Sequence, residues 1–292
     1  MWHEGKGKSA VRRLGFASEL RPRSGFVGVR RIAPMSRGGI GGTKRGAPPG
    51  EAGHQEKTMT IPTFNPHETS LDPSPRRFVL GISGASGAWY SIRLLELLLS
   101  AGHEVHLVVS DYGRRLLFDE ADVRVLDFEN LLPHVVKRLG HDASHAAERR
   151  AMESRLIIHP NKDVGAVIAS GSFMHDGMVV LPCSSASLGQ LAAGSGSNLL
   201  CRAAMVTLKE RRTLIVCHRE MPLSLIDIRN MEQLSLAGAV LCSPNPGFYL
   251  GPRSVGDIID FVVGKVLDLL KVPHALKTRW EDHVSGELEV EG

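Results

Sequence analysis

No stretch of this sequence reaches the roughly 18 uncharged apolar residues that a membrane-spanning helix requires, because Gly, Ser or a charge interrupts every long apolar run. No two of the four cysteines, Cys183, Cys201, Cys217 and Cys242, stand at the C-x-x-C spacing of a ligand or redox pair. Three of them sit in or beside apolar, strand-like runs, which reads as small buried hydrophobes in a reduced compartment. The 13 histidines form no cluster with cysteine, so no metal is expected. Acidic residues are scarce at the start. Residues 1–50 hold 11 Lys and Arg against two acids, Glu4 and Glu19, which leaves 24 basic and 29 acidic residues in the remainder. The formal charge of +4 therefore belongs to the leader. The mildly acidic remainder offers no electrostatic footprint for nucleic acid.

What is present is a chain of 292 residues, 42% apolar, enough for one large or two small domains with a real core. The first 75 residues differ from the rest. Gly, Arg, Ser and Pro dominate, and Ser36 to Gly53 has too little apolar surface to offset its ordering entropy. Residues 1–75 are expected to be a disordered basic extension. Such a leader suits an organelle transit peptide, a nonspecific basic tail, or an upstream extension of the reading frame with Met59 as the start. Its many glycines and its lack of an amphipathic helix favour the last. The matching compartment is the cytoplasm, or an organelle if residues 1–58 are a transit peptide.

From Arg76 a different pattern begins. Phe78 to Ile82 is a short apolar strand, Ser83 to Gly87 a turn, and Tyr90 to Leu99 a helix with Ile92, Leu95 and Leu99 on one face. Val105 to Val109 makes the next strand, completing a β-α-β unit. Residues 111–160 read as irregular and partly helical, with His141 to Met152 as a polar, mobile insertion. Further strands are expected at Met178–Pro182, Leu214–Cys217 and Ala239–Cys242. Helices are expected to about Ala193, over Leu199–Arg211, Leu223–Leu236 and Val255–Leu270. Nearly continuous apolar strands alternating with helices predict an α/β domain over residues 76–282, with a parallel sheet covered on both faces and a flexible tail over residues 283–292. In such sheets ligands bind beyond the carboxyl ends of the strands.

The polar chemistry gathers at those ends. Gly81 to Gly87 has the small residues and hydroxyls of an anion cradle ahead of a helix, and also those of a purely structural tight turn. Its spacing is neither G-x-G-x-x-G nor a P-loop. Ser184-Ser185-Ala186-Ser187 places three hydroxyls at a helix start, where capping accounts for one and anion binding for more. Arg202 and Lys209 lie seven residues apart, on one helix face, as a phosphate clamp or a solvated basic face. His218-Arg219-Glu220 follows a strand and offers either a proton-transfer group beside a cation or a surface ion pair. Gly247-Phe248-Tyr249 presents an aromatic phenol or a loop anchor, and Trp280 is equally open.

Taken in order, Gly84-Ala85-Ser86-Gly87-Ala88, Pro182-Cys183-Ser184, Asn198-Leu199, Arg202-Ala203-Ala204, Leu208 to Arg212, Arg219-Glu220, Pro222, Pro246 to Tyr249, Asp260 to Val263 and Arg279-Trp280 resemble the flavin prenyltransferase (UbiX-like) family. The resemblance implies a flavodoxin-like three-layer sandwich and transfer of a dimethylallyl group to N5 and C6 of reduced FMN, without metal. By position, FMN would meet Gly84, Ala85, Ser86, Ser110, Ser184, Ser185, Ala186, Ser187 and Arg219. Dimethylallyl monophosphate would meet Arg202, Lys209, Glu220, Tyr249 and Lys265. Glu220, Ser86 and Lys209 would be the catalytic residues, with Glu220 handling protons. The family implies intersubunit sites in a homododecamer, and a UbiD-like decarboxylase as recipient of the prenylated flavin. The chain departs from the family at Lys265 (usually Arg), Cys201 (often an acid), Val164 (Trp in some members) and in the length of the segment at residues 141–152. A phosphopantothenoylcysteine decarboxylase-type enzyme, with His159 in a plausible region, and a noncatalytic FMN-binding subunit are the alternatives.

Overall fold

The computed structural model describes residue 62 and residues 74–140 and 143–278. Almost all of the expected extension over residues 1–75, the tail over residues 283–292, and Arg279 and Trp280 lie outside the described residues.

Six strands, β1 (Arg77–Ile82), β2 (Glu104–Val109), β3 (Leu156–Pro160), β4 (Gly177–Cys183), β5 (Leu214–His218) and β6 (Val240–Leu241), form one sheet in the order β3-β2-β1-β4-β5-β6. Every pairing is parallel. The strand period of two sorts side chains onto two faces. Phe78, Leu80, Ile82, Leu107, Val179, Leu181, Ile215 and Cys217 point into one core. Val79, Val108, Met178, Val180, Leu214 and Val216 point into the other. Helices α1 (Ala88–Ser100), α2 (Asp111–Ala121), α3 (Phe128–Leu131), α4 (Pro133–Leu139) and α5 (Ala143–Ser154) precede β4 in the chain. With α9 (Val255–Leu269) they supply the residues that close the first core. Helices α6 (Ser185–Ala192), α7 (Leu199–Lys209) and α8 (Leu225–Leu236) close the second. This is the flavodoxin-like three-layer arrangement that the resemblance implies.

Two expectations are corrected. The segment expected as a mobile insertion is helical from Ala143 to Ser154, and Met152, 2% exposed, anchors it in the first core. Strand β3, within the stretch over residues 111–160 expected to be irregular and partly helical, is the outer strand beside β2; its five residues are all partly or fully exposed, so no apolar alternation marks it.

The first layer contains a buried ion cluster. Arg93 on α1, 2% exposed, binds Asp260 on α9 (2.7 Å) and Glu96 one turn along (2.7 Å). His134 on α4 donates to Glu96 (2.9 Å), and Arg138 adds a further contact (3.2 Å). Burial alone would raise the Glu96 pKa. The His134 hydrogen bond and the Arg93 charge outweigh it and hold the carboxyl at about 2, against an ordinary 4.5. A folded-state pKa below the unfolded one stabilises the fold at pH above about 4.5 and loses that contribution as pH falls toward 2. Glu96→Gln is expected to cost roughly 3 kcal/mol at neutral pH in urea unfolding, and to flatten the dependence of stability on pH between those two values.

Candidate functional site

The chain runs outward from β1 to β2 and β3, then returns to lay β4 against the free side of β1. Beyond the carboxyl ends of β1 and β4 the strand order reverses, and the loops there diverge to leave a crevice. The two loops are 83–87 and 184–187.

Ser83, fully buried, joins them. Its Oγ donates to Pro182 O (3.1 Å) and accepts from Ser184 N (2.8 Å), while its own N–H donates to Pro182 O (3.1 Å). Ser184 Oγ accepts from Ser187 N (3.3 Å), capping α6. Ser185 Oγ donates to Glu220 (3.5 Å), and Ala186 is exposed at the lip. The third loop, after β2, is locked just as tightly. Ser110 N donates to Ile82 O (2.9 Å), and Ser110 Oγ caps α2 by accepting from Gly113 N (3.0 Å). A Cβ on Gly113 would stand 2.6 Å from Ile82 O, and one on Gly84 would overlap Tyr112 Cβ, so both positions demand glycine. Arg219 N and His218 Nδ1 both donate to Cys183 O (3.0 Å each), which seats the fourth loop, after β5.

Four loops thus bring Gly84, Ala85, Ser86, Ser110, Ser184, Ser185, Ala186, Ser187, Arg219 and Glu220 to one edge of the sheet. Ala85 is buried, while Ser86, Arg219 and Glu220 are exposed. The edge presents five hydroxyls and a guanidinium together with the Glu220 carboxylate, a donor set suited to a phosphorylated ligand with a hydrogen-bonding ring. The Gly81–Gly87 turn reads in the sequence either as an anion cradle or as a structural tight turn. Where it enters α1, Gly87 N and Ala88 N donate to the Glu120 carboxylate on α2 (2.9 and 2.8 Å). Sequence reasoning missed Glu120, which reaches the loop only because α2 folds back across it. His218, which ends β5 beside the Arg219-Glu220 pair, is a further residue at this loop to which the sequence assigns no role. Its ring is 3% exposed, and Nε2 lies 3.7 Å from Asp227 Oδ1 at the start of α8.

The other candidates are dispersed within one protomer. Arg202 is exposed in the first turn of α7, near Asn161 just beyond β3, where Asn161 accepts from Leu199 N and Leu200 N. Lys209 ends the same helix and is ion-paired with Glu210. A side chain on Gly171 would collide with that pair, and Arg212 donates to Gly171 O (2.7 Å) and Phe173 O (2.6 Å). These residues adjoin the starts of β4 and β5, where Met178 N donates to Thr213 O. Lys209 therefore sits roughly a strand length, ~15 Å, from the hydroxyl-rich edge. Tyr249 and Lys265 lie across the sheet with α9. Tyr249 Oη donates to Thr278 O (3.4 Å), and its ring meets Phe261 edge-on (5.6 Å), so it anchors its loop in this chain. Val164 is 45% exposed in the turn after β3. His159 is tied to His106 (2.8 Å) within a stacked pair on β2 and β3. Among the described residues no three His, Cys, Asp or Glu side chains gather where a metal ion could be held.

A parallel sheet with hydroxyl-rich loops at its switch point is the architecture of the flavin-binding α/β proteins, and the Flavoprotein family model matches residues 66–267. The flavin prenyltransferase UbiX of Thermoplasma acidophilum is 42% identical over 204 residues, covering 70% of this chain and 99% of that protein. The crystal structure of AnUbiX (PadA1) in complex with FMN and dimethylallyl pyrophosphate is 35% identical, with a TM-score of 0.55, over 68% of this chain and 93% of that one. A dodecameric FMN-dependent UbiX-like decarboxylase from Escherichia coli O157:H7 is 35% identical, with a TM-score of 0.57, over 70% and 98% of the two chains. The chain belongs to the flavin prenyltransferase family.

Ser83 carries the junction of the two central loops. Ser83→Ala strands the Ser184 N–H and is expected to cost about 1–3 kcal/mol in chemical unfolding, whereas Ser86→Ala, on the exposed lip, is expected to leave stability unchanged.

Proposed function

We propose that this chain transfers a dimethylallyl group from dimethylallyl monophosphate to reduced FMN, forming bonds at flavin N5 and C6. The observation that carries the reading is the convergence of four hydroxyl-bearing loops and Arg219 at the switch point of the sheet, in a chain of this family. In this reading Gly84, Ala85, Ser86, Ser110, Ser184, Ser185, Ala186, Ser187 and Arg219 seat the FMN. Glycine and alanine let the backbone approach a flat ring closely, and the hydroxyls and guanidinium hold its polar edge and phosphate.

The allylic C–O bond breaks with its electron pair leaving on phosphate. Arg202, Lys209 and Lys265 supply the charge that stabilises this departure. Lys265 offers a point charge in place of the planar fork that arginine would bring, so its grip on phosphate is the looser one. The Tyr249 ring faces the electron-poor allyl group. Closure at C6 requires loss of a proton, and Glu220, within reach of Ser185 at the loop junction, takes it.

The dispersion of Arg202, Lys209, Tyr249 and Lys265 within one protomer supports a site completed by a second copy. So does the stretch that follows Glu220. Met221 (84% exposed), Leu223 (45%), Leu225 (61%), Ile226 (71%) and Ile228 (48%) form an apolar surface beside the loops, of the kind that a subunit contact buries. We place the chain in a homododecamer whose product passes to a UbiD-like decarboxylase. The proposed compartment is the cytoplasm. The mass of the mature N-terminus distinguishes this from organelle import with loss of residues 1–58.

Incubation with reduced FMN and dimethylallyl monophosphate is expected to yield a flavin heavier by the five-carbon group, read by mass spectrometry; unchanged FMN refutes the reading. Glu220→Gln is expected to bind FMN normally and turn over about 100-fold more slowly, and a wild-type rate removes its proton role. Lys209→Ala and Glu220→Gln, each strongly impaired alone, are expected to recover roughly a quarter of wild-type activity in mixed oligomers, because some sites then draw both intact residues from different copies. No recovery would put both groups in one protomer.

A further inference from the structure

Two thiols that the proposed chemistry does not use stand opposite one another beneath two of the site loops. Strands β5 and β6 pair Ile215 with Val240 and Val216 with Leu241. Cys242 N donates to Val216 O (3.0 Å), which carries the register one step further and sets Cys242 opposite Cys217. Neighbouring strands lie about 4.8 Å apart, inside the Cα separation that a disulfide spans. Both side chains project into the same core, where Cys217 is fully buried and Cys242 partly exposed. The neighbouring Cys217 thiol first, and the Lys265 ammonium on α9 after it, outweigh partial burial and lower the Cys242 pKa, while the Cys217 pKa is raised. The remaining thiols differ. Cys183 and Cys201 are buried and their pKa values are pushed up, chiefly by desolvation. Cys201 Sγ donates to Gln190 Oε1 (3.2 Å).

We propose that Cys242 and Cys217 are a peroxide-oxidisable thiol pair, with Cys242 the attacking sulfur and Cys217 the resolving one. The Cys242 thiolate attacks hydrogen peroxide, a sulfur–oxygen bond forms as the oxygen–oxygen bond breaks, and hydroxide leaves. Cys217 then attacks the sulfenic sulfur, the disulfide forms, and the sulfenic oxygen departs as water with the thiol proton. Peroxide is reduced and two thiols are oxidised, so the electrons balance. The oxidant has a local source if the chain handles reduced flavin, because dihydroflavin passes two electrons to dioxygen and releases peroxide. Only that source rests on the proposed function; the pair itself does not.

The placement gives oxidation a consequence. Cys217 lies directly before His218-Arg219-Glu220, and Cys242 opens the segment leading to Tyr249. A disulfide between opposed residues of parallel strands requires sulfurs that project side by side to turn toward each other. This stores strain, shifts the bases of both loops, and leaves the bond easily reduced. The pair therefore acts as a reversible brake, sensitive to the by-product of the flavin chemistry.

The test uses the reduced full-length protein, exposed to hydrogen peroxide and mapped by non-reducing peptide mass spectrometry. A Cys217–Cys242 linked peptide is expected, lost again with dithiothreitol, with Cys183 and Cys201 still thiols. Flavin prenylation is expected to fall several-fold on oxidation and to return on reduction, and Cys242→Ser is expected to be active and insensitive to peroxide. Absence of the linked peptide, or equal peroxide sensitivity in Cys242→Ser, overturns the proposal. The peptide map reads the wild-type chain, so it decides the matter even if Cys242→Ser fails to fold or if the chain proves not to prenylate flavin.

Discussion

Ser83 is the point at which the two halves of the sheet are pinned together at their functional edge. The chain reaches β4 from β3 by a long return that leaves β1 and β4 as neighbours, yet nothing in strand pairing alone fixes how their loops diverge. One buried hydroxyl does so, donating to Pro182 O and accepting from Ser184 N. A serine is needed because both partners are backbone groups of opposite polarity, and a hydroxyl is the smallest side chain that serves both at once. The remaining loops join this point through equally small contacts. Gly113 rests on Ile82 O, Gly84 on Tyr112, and Cys183 O receives both Arg219 and His218. The loops are fixed by their contacts with one another.

The charges follow a different logic from the hydroxyls. Arg93, Glu96 and Asp260 are buried and mutually satisfied, and they fix α1 against α9. Glu120 neutralises the start of α1, so the positive end of that helix is spent on folding. The candidate cations for phosphate, Arg202, Arg219 and Lys265, together with the Lys209–Glu210 pair, lie on separate elements. A phosphate grip needs several of them within a few ångströms, and gathering them within one protomer would require packed helices of the core to move. Bringing a second copy against the exposed Met221–Ile228 surface requires no such motion. That is the physical reason for reading the protomer as half of a site.

Much of this was legible in the sequence. The alternation of short apolar strands with amphipathic helices gave five of the strands, and the Ser/Gly turns marked the edge at which the loops meet. What escaped it had identifiable causes. Strand β3 carries His159 and Pro160 on an outer position, where one-sided exposure erases the apolar run. Helix α5 is polar along most of its length, and among its described side chains Met152 is the one in the core. Glu120 lies 33 residues from the Gly87 amide it binds, a contact set by the α1–α2 crossing and by no local motif. The thiol pair depends on strand register, which composition cannot reveal; singly, Cys217 and Cys242 read as inert small hydrophobes.

The sheet edge concentrates opportunity and hazard in the same few ångströms. In the proposed reaction a reduced flavin must meet an allylic phosphate while dioxygen and water are kept away, and a lone protomer exposes Ser86, Arg219 and Glu220 to solvent. Closing that edge with a second copy excludes both competitors and delivers the missing cations in one step. Assembly and catalysis then depend on the same apolar surface. A thiol pair set beneath the Glu220 and Tyr249 loops is placed to register any failure of that closure, because peroxide arises only where the flavin is left open to dioxygen. The fold needs no separate sensor domain for this, since the parallel register that builds the sheet already sets the two sulfurs side by side.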